Sequence, residues 1–156
     1  MKKIRCYLDT TILNFAFADD SLEKKAITVS FLESLARISE EVFISDEVVR
    51  EINRASEPRK TQLEGLLRDI NPVLLEIDKE AMELAERYLK EGIIPERYRA
   101  DALHIAVSVV NEVEVIVSWN FEHIVKLKTR TMVNGVNRLL GYHEIEICSP
   151  EEVSDL

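Results

Sequence analysis

Short apolar runs alternate along this chain with longer segments whose apolar positions recur every three or four residues. The runs Ile4–Leu8, Val42–Ser45, Val73–Ile77, Val115–Ser118 and Glu146–Cys148 have the length of strands. Between the first two, Ser21–Ile38 places Leu22, Ala26, Val29, Phe31, Leu32 and Leu35 toward one apolar face, which predicts a helix packed on a sheet. Ser45-Asp46 can cap a helix over Asp46–Ala55, and Pro58 suits the first position of another that runs to Leu67. Lys79–Glu91 carries Met82, Leu84, Ala85, Tyr88 and Leu89 and stops at Gly92. Pro95 then opens a long helix that is almost wholly apolar from Ala102 to Val110. Met132, Val136, Leu139 and Leu140 mark a last helix, which Gly135 and Gly141 bracket or interrupt. A regular βα rhythm of this kind predicts an α/β protein of three layers, α/β/α, with a parallel sheet covered by helices on both faces.

The length of 156 residues is that of one domain, so the expectation is a single module over residues 1–156. Apolar residues at 46% and charged residues at 31% describe an ordinary globular protein and exclude a disordered or fibrous one. The net charge of −9 argues against a surface that coats nucleic acid at large, because such binding rests on lysines and arginines displacing counterions from phosphates. A local basic patch stays compatible with that charge, and acids gathered in one pocket would attract divalent cations. Cys6 and Cys148 lie in different predicted strands and are expected to be reduced core residues. The N-terminus enters a strand pattern after two lysines, without an apolar segment of signal or membrane-spanning length, so the expected location is cytoplasmic.

Three acids stand at element ends. Asp101 opens the apolar helix, Asp9 directly follows the first strand, and Glu51 lies one turn into the helix after the second. In an open α/β sheet ligands collect outside the carboxyl ends of the strands, so one crevice can gather all three together with Ser118-Trp119-Asn120. Carboxylate, amide and water oxygens are the ligands that Mg²⁺ and Mn²⁺ prefer, and the chain offers little support for a zinc site. Each acid also has a purely structural role open to it: Asp9 as the cap of a short helix through Thr10-Thr11, Glu51 as a partner for Arg54, and Asp101 as the acid that suits a first helical turn.

As a set, Leu8-Asp9-Thr10-Thr11-Ile12-Leu13, Ile44-Ser45-Asp46-Glu47-Val48-Val49-Arg50-Glu51-Ile52, Ala100-Asp101-Ala102-Leu103-His104-Ile105-Ala106 and Ile116-Val117-Ser118-Trp119-Asn120-Phe121-Glu122-His123 resemble the PIN domain family. The closing Ile147-Cys148-Ser149-Pro150-Glu151-Glu152 resembles the usual end of that fold, so the likeness spans essentially the whole chain. The resemblance implies a five-stranded parallel sheet in the order 3-2-1-4-5 and an Mg²⁺- or Mn²⁺-dependent ribonuclease. It also implies a toxin of the VapBC type, often a homodimer, with an antitoxin protein as partner. The family's first three acids fall on Asp9, Glu51 and Asp101, which would be the metal ligands. Its fourth, after the fourth strand, is replaced by Asn120, a neutral carbonyl ligand that cannot neutralise a cation. Glu122 and Glu47 are the two acids placed to supply the missing charge.

Around this set, Thr10 and Ser118 are candidate donors to phosphate, with turn or capping roles equally open. Arg99 and Lys126 are candidate contacts to the RNA backbone, alongside Arg97, Lys128 and Arg130; the competing role is a solvated charged surface. Trp119 is placed to stack on a base or, alternatively, to pack beside a strand end. His104 and His123 are read as structural residues outside the catalytic set. The rival to the nuclease is a non-catalytic PIN-like module that binds RNA or protein and whose acidic site has degenerated at Asn120.

Overall fold

The computed structural model describes residues 2–154. Five strands, β1 (Ile4–Leu8), β2 (Ser39–Ser45), β3 (Val73–Leu75), β4 (Val115–Val117) and β5 (Glu146–Cys148), form one sheet. Every pairing is parallel and the order is β3-β2-β1-β4-β5. The expected fold class and strand order are therefore those observed. Parallel neighbours need crossovers, and helices supply them: α1 (Thr10–Phe15) and α2 (Leu22–Ile38) join β1 to β2, while α3 (Asp46–Arg54) and α4 (Arg59–Ile70) join β2 to β3. Helices α5 (Lys79–Lys90) and α6 (Arg99–Val110) lead to β4, α7 (Leu127–Leu140) leads to β5, and α8 (Pro150–Ser154) closes the described chain.

Burial explains which strand is central. Cys6, Tyr7 and Leu8 of β1 are all fully buried, as a strand covered by helices on both faces must be, whereas β3 at the edge leaves Val73 and Leu74 exposed. From β1 the chain moves outward to β2 and β3, then returns across the sheet to β4 on the other side of β1. That reversal opens a crevice outside the carboxyl ends of β1 and β4, where Leu8 is paired with Val117 and Asp9 N donates to Val117 O at 3.3 Å.

Several boundaries differ from the sequence pattern. Strand β3 stops at Leu75 rather than Ile77, because Ile77 N turns to the Asp46 carboxylate at 3.2 and 3.3 Å and Asp78 begins to cap α5. Strand β2 starts three residues before Val42, at Ser39, where the chain leaves α2 directly into pairing with β1. Helix α4 runs past Leu67 to Ile70 and is ended by Asn71 in the left-handed region. Pro95 opens only a 3-10 turn, Glu96–Tyr98, before α6 begins at Arg99. Gly135 lies inside α7, and Gly141, at φ 86°, terminates it.

Cys6 and Cys148 are free and buried, as expected. Among the described residues no helix is long and apolar enough to cross a membrane.

Candidate active site

The three acids come from three elements that meet at the crevice. Asp9 directly follows β1 and is 2% exposed. Its Oδ1 accepts from Thr11 N at 3.1 Å, Ile12 N at 3.4 Å and the Thr11 hydroxyl at 2.5 Å, and its Oδ2 accepts from Ser118 Oγ at 2.5 Å. Asp9 is thus the N-cap of α1, and the capping role and a place at the crevice belong to the same side chain. The Ser118 hydroxyl reaches it because Ser118 follows β4, the strand paired with β1.

Glu51 does not pair with Arg54. Its Oε1 lies 2.9 Å from His104 Nε2, and the other ring nitrogen of His104 lies 2.6 Å from the Tyr7 hydroxyl. His104 follows Asp101 by three positions on α6, so helical spacing carries both to one side, and the apolar remainder of the helix takes the imidazole into the interior at 2% exposure. Asp101 has a histidine of its own: His123 Nδ1 is 3.3 Å from Asp101 Oδ2, and the His123 ring stacks on Tyr98 with centroids 4.0 Å apart.

Two histidines that sequence reasoning set aside are therefore the immediate partners of two of the three acids. The i, i+3 spacing of Asp101 and His104 was the available signal; the pairing of His123 with Asp101 depends on a loop from the far side of β4 and left none.

Burial governs the electrostatics. It pushes the Asp9 carboxyl above its ordinary range, against the opposing pull of the His104 charge and of the hydrogen bonds from Ser118, Thr11 and Ile12 N. It does the same to Asp101, where His104, His123 and the Asn120 amide oppose it and the Glu51 charge reinforces it. At Glu51 burial also pushes upward, but the His104 hydrogen bond and charge, helped by Thr10 and Arg54, outweigh it and hold the carboxyl below its usual value. Burial favours the neutral form of His104; the Glu51 hydrogen bond and the charges of Asp9, Glu51 and Asp101 overcome it and raise that imidazole.

This imbalance has a stability consequence. An acid whose folded pKa exceeds its unfolded value binds its proton more tightly when folded, so folding weakens as pH rises from the unfolded value through the folded one. For Asp101 that window starts at 3.8 and extends upward. Asp101→Asn is accordingly expected to melt above the unsubstituted protein at pH 7. The difference should vanish in acid, where Asp101 is already protonated. Thermal melts from pH 4 to 8 test this, and a lower melting temperature for the variant at pH 7 would refute it.

The donor set suits a hard divalent cation. Among the described residues neither lysine nor arginine is ion-paired with Asp9, Glu51 or Asp101, and the basic groups paired with these acids are the imidazoles of His104 and His123. The Thr10 hydroxyl beside them is buried and favours the ionised form of Glu51. Yet no three His, Cys, Asp or Glu side chains among the described residues already stand as a coordinating group. The acids are held by internal donors, and uptake of a cation requires some of those contacts to yield.

Compared by sequence, the chain matches no protein-family model and no curated protein. Compared by structure, it matches a chain in the crystal structure of VapBC2 from Rickettsia felis bound to a DNA fragment from their promoter. The TM-score is 0.56 and the identity 14%, over 92% of this chain and 97% of that one. The fold is PIN-like.

Within that PIN-like fold the remaining predicted residues fall into distinct places. Asn120 sits at the crevice: its Oδ1 accepts from His123 N at 2.9 Å, its N donates to Ser118 Oγ at 2.9 Å, and its amide favours the ionised form of Asp101. A carboxylate there would instead repel Asp101. Of the two acids considered as replacements, Glu122 is exposed, with His123 Nε2 3.6 Å away, whereas Glu47 is 3% exposed, bonded to Arg50 at 2.8 Å, and senses both Glu51 and His104.

Arg99 is held by Glu86 and Glu96. Arg130 pairs with Glu152 at 3.1 Å, and Lys128 reaches the Gly92 carbonyl at 3.3 Å. Lys126, the N-cap of α7, has no carboxylate partner among the described residues.

Trp119 is 4% exposed, its Nε1–H donates to Thr28 Oγ1 at 2.8 Å, and its ring lies among Phe15, Phe121 and the Lys24 ammonium. That placement corrects the base-stacking role: a ring enclosed in this way offers no free face to RNA. Thr11, in contrast, does more than cap, because its hydroxyl also accepts from Trp119 N at 2.9 Å and so ties the loop after β4 to α1.

Proposed function

We propose that this chain, as a single domain, is an Mg²⁺- or Mn²⁺-dependent endoribonuclease that acts as the toxin of a toxin–antitoxin pair. The observation that carries the reading is the set of three desolvated carboxylates, Asp9, Glu51 and Asp101, at the switch point of a PIN-like sheet, with no lysine or arginine ion-paired to them among the described residues. A cation held there by these three, with Asn120 at its edge, would polarise the scissile phosphodiester.

The chain's own residues do the positioning. Ser118 and Thr11 fix both oxygens of Asp9, His104 fixes Glu51, and His123 and Asn120 fix Asp101, so the acids lose little orientational freedom on engagement. The Thr10 hydroxyl is a donor for a phosphate oxygen, and Lys126 is a contact for the RNA backbone. Arg99 joins that contact only by leaving Glu86 and Glu96.

The groove of about 750 Å³ beside α2 and α4, lined by Phe17, Leu32, Leu66 and Ile70 with Glu33 and Asp69 among them, is a surface for the antitoxin. A cytoplasmic homodimer completes the reading.

A second reading has its own observation. The acids are already satisfied by internal donors and no three of them form a ready coordinating group, which favours a PIN-like module that binds RNA or protein without cutting. Cleavage of a mixed single-stranded and structured RNA pool separates the two. Cutting is expected with Mn²⁺ or Mg²⁺ and none with chelator. RNA retained intact under all three conditions would remove the nuclease and leave the binding module.

A further inference from the structure

The Glu51–His104 contact is one end of a buried chain of hydrogen bonds that begins and ends on α3. At its start the Glu47 backbone N–H donates to Ser45 Oγ at 3.2 Å. Ser45 Oγ lies 2.8 Å from the Tyr7 hydroxyl, and that hydroxyl lies 2.6 Å from His104 Nδ1. At its end His104 Nε2 lies 2.9 Å from Glu51 Oε1. The chain passes from the N-terminal turn of α3 through the ends of β2 and β1 to α6 and back to the next turn of α3. Tyr7, Ser45 and His104 are each buried.

The chemistry of the two ends fixes their direction. A backbone N–H can only donate and a carboxylate can only accept, so Nε2 carries hydrogen toward Glu51 whether the ring is neutral or charged. The Tyr7 hydroxyl can donate or accept and serves either form. It is the Glu51 carboxylate that selects the form with hydrogen on Nε2, while the Tyr7 hydroxyl holds the ring in place at Nδ1. The bond occupies Oε1 and leaves the second oxygen of Glu51 outside it.

We infer that Tyr7 and His104 are positioning residues for Glu51, setting its orientation through Nε2–H so that the carboxylate is presented to the crevice in one geometry. The inference rests on the proposed cation-dependent reading of that crevice. Neither residue touches the substrate in this assignment. Tyr7 acts through His104, and His104 acts through Glu51.

Titration of the metal-free protein with Mn²⁺ alone, followed calorimetrically, tests this in Tyr7→Phe, His104→Ala and His104→Gln, with thermal melts to show that each variant is folded. Tyr7→Phe and His104→Ala are expected to weaken Mn²⁺ uptake about 10-fold or more. They should lower kcat for RNA while leaving KM unchanged, because RNA contacts lie elsewhere. His104→Gln, whose amide N–H can replace Nε2–H, is expected to recover most of the affinity that His104→Ala loses. A merely structural role would lower melting temperatures without this split between kcat and KM and without rescue by glutamine. Mn²⁺ uptake unchanged in both Tyr7→Phe and His104→Ala would overturn the inference while leaving the proposed function in place. Absence of Mn²⁺ uptake by the unsubstituted protein would overturn both.

Discussion

Asp9→Asn is expected to slow RNA cleavage by at least about 10³-fold, equivalent to about 4 kcal/mol of transition-state stabilisation, while leaving the protein folded. The separation follows from the two roles of this side chain. As a cap it accepts from Thr11 N and Ile12 N, and asparagine is among the best N-cap residues, so the start of α1 survives the change. As part of the site it contributes a negative charge in a desolvated position, and the isosteric amide contributes none. The Ser118 hydroxyl at 2.5 Å can reverse its role and accept from the new amide, so the substitution need not leave a buried donor unpaired. Initial rates in Mn²⁺ beside a thermal melt measure both halves. Cleavage within about 10-fold of the unsubstituted rate, in a folded variant, would show that Asp9 is only a cap.

Trp119→Ala is expected to cost about 3–5 kcal/mol of stability, a drop in melting temperature of about 6–20 °C. The indole fills a space between α1, α2 and the loop after β4, with ring centroids 5.9 Å from both Phe15 and Phe121 and the Lys24 ammonium 5.4 Å from its centre. Removing it leaves a cavity, frees the Thr28 hydroxyl of its indole partner and deprives Lys24 of its largest aromatic face. The same loop carries Ser118 and Asn120, so loosening it also loosens the support of Asp9 and Asp101. Melting curves and RNA affinity measured in chelator separate packing from stacking on bases. An unchanged melting temperature with weakened RNA binding would restore the base-contact role.

The neutral residue after β4 takes on a different meaning once its neighbours are known. From the motif alone, Asn120 stands where an acid is expected and looks like a loss. In the structure it orders the loop through His123 N and favours the ionised form of Asp101. Of the two acids offered as replacements, buried Glu47 lies close enough to act on Glu51 and His104, with its carboxylate already paired with Arg50 at 2.8 Å. Measured cation affinity, rather than the motif, decides the strength of the proposed cation site.

The alternation of short apolar runs with helical periods was enough to determine the α/β class. Parallel strands demand crossovers, and only helices of the observed lengths fit between the runs. The strand order came from likeness to PIN domains, and the three acids from their odd positions at element ends, which are local properties of the chain. Boundaries were less legible. Ile77 has the character of a strand residue, yet its N–H is claimed by Asp46, 31 positions away. The roles of the histidines and of Trp119 belong to tertiary structure alone. A histidine on an apolar helix reads as core, and whether it faces Glu51 depends on how α6 crosses α3. A tryptophan beside a strand end can pack there or stack on a base, and the enclosure by Lys24, Phe15 and Phe121 decides for packing. Local periodicity carries the elements because backbone hydrogen bonding is local in a helix and repetitive in a strand. The partners of a buried polar group are set by which elements meet, and that is written only in the packed chain.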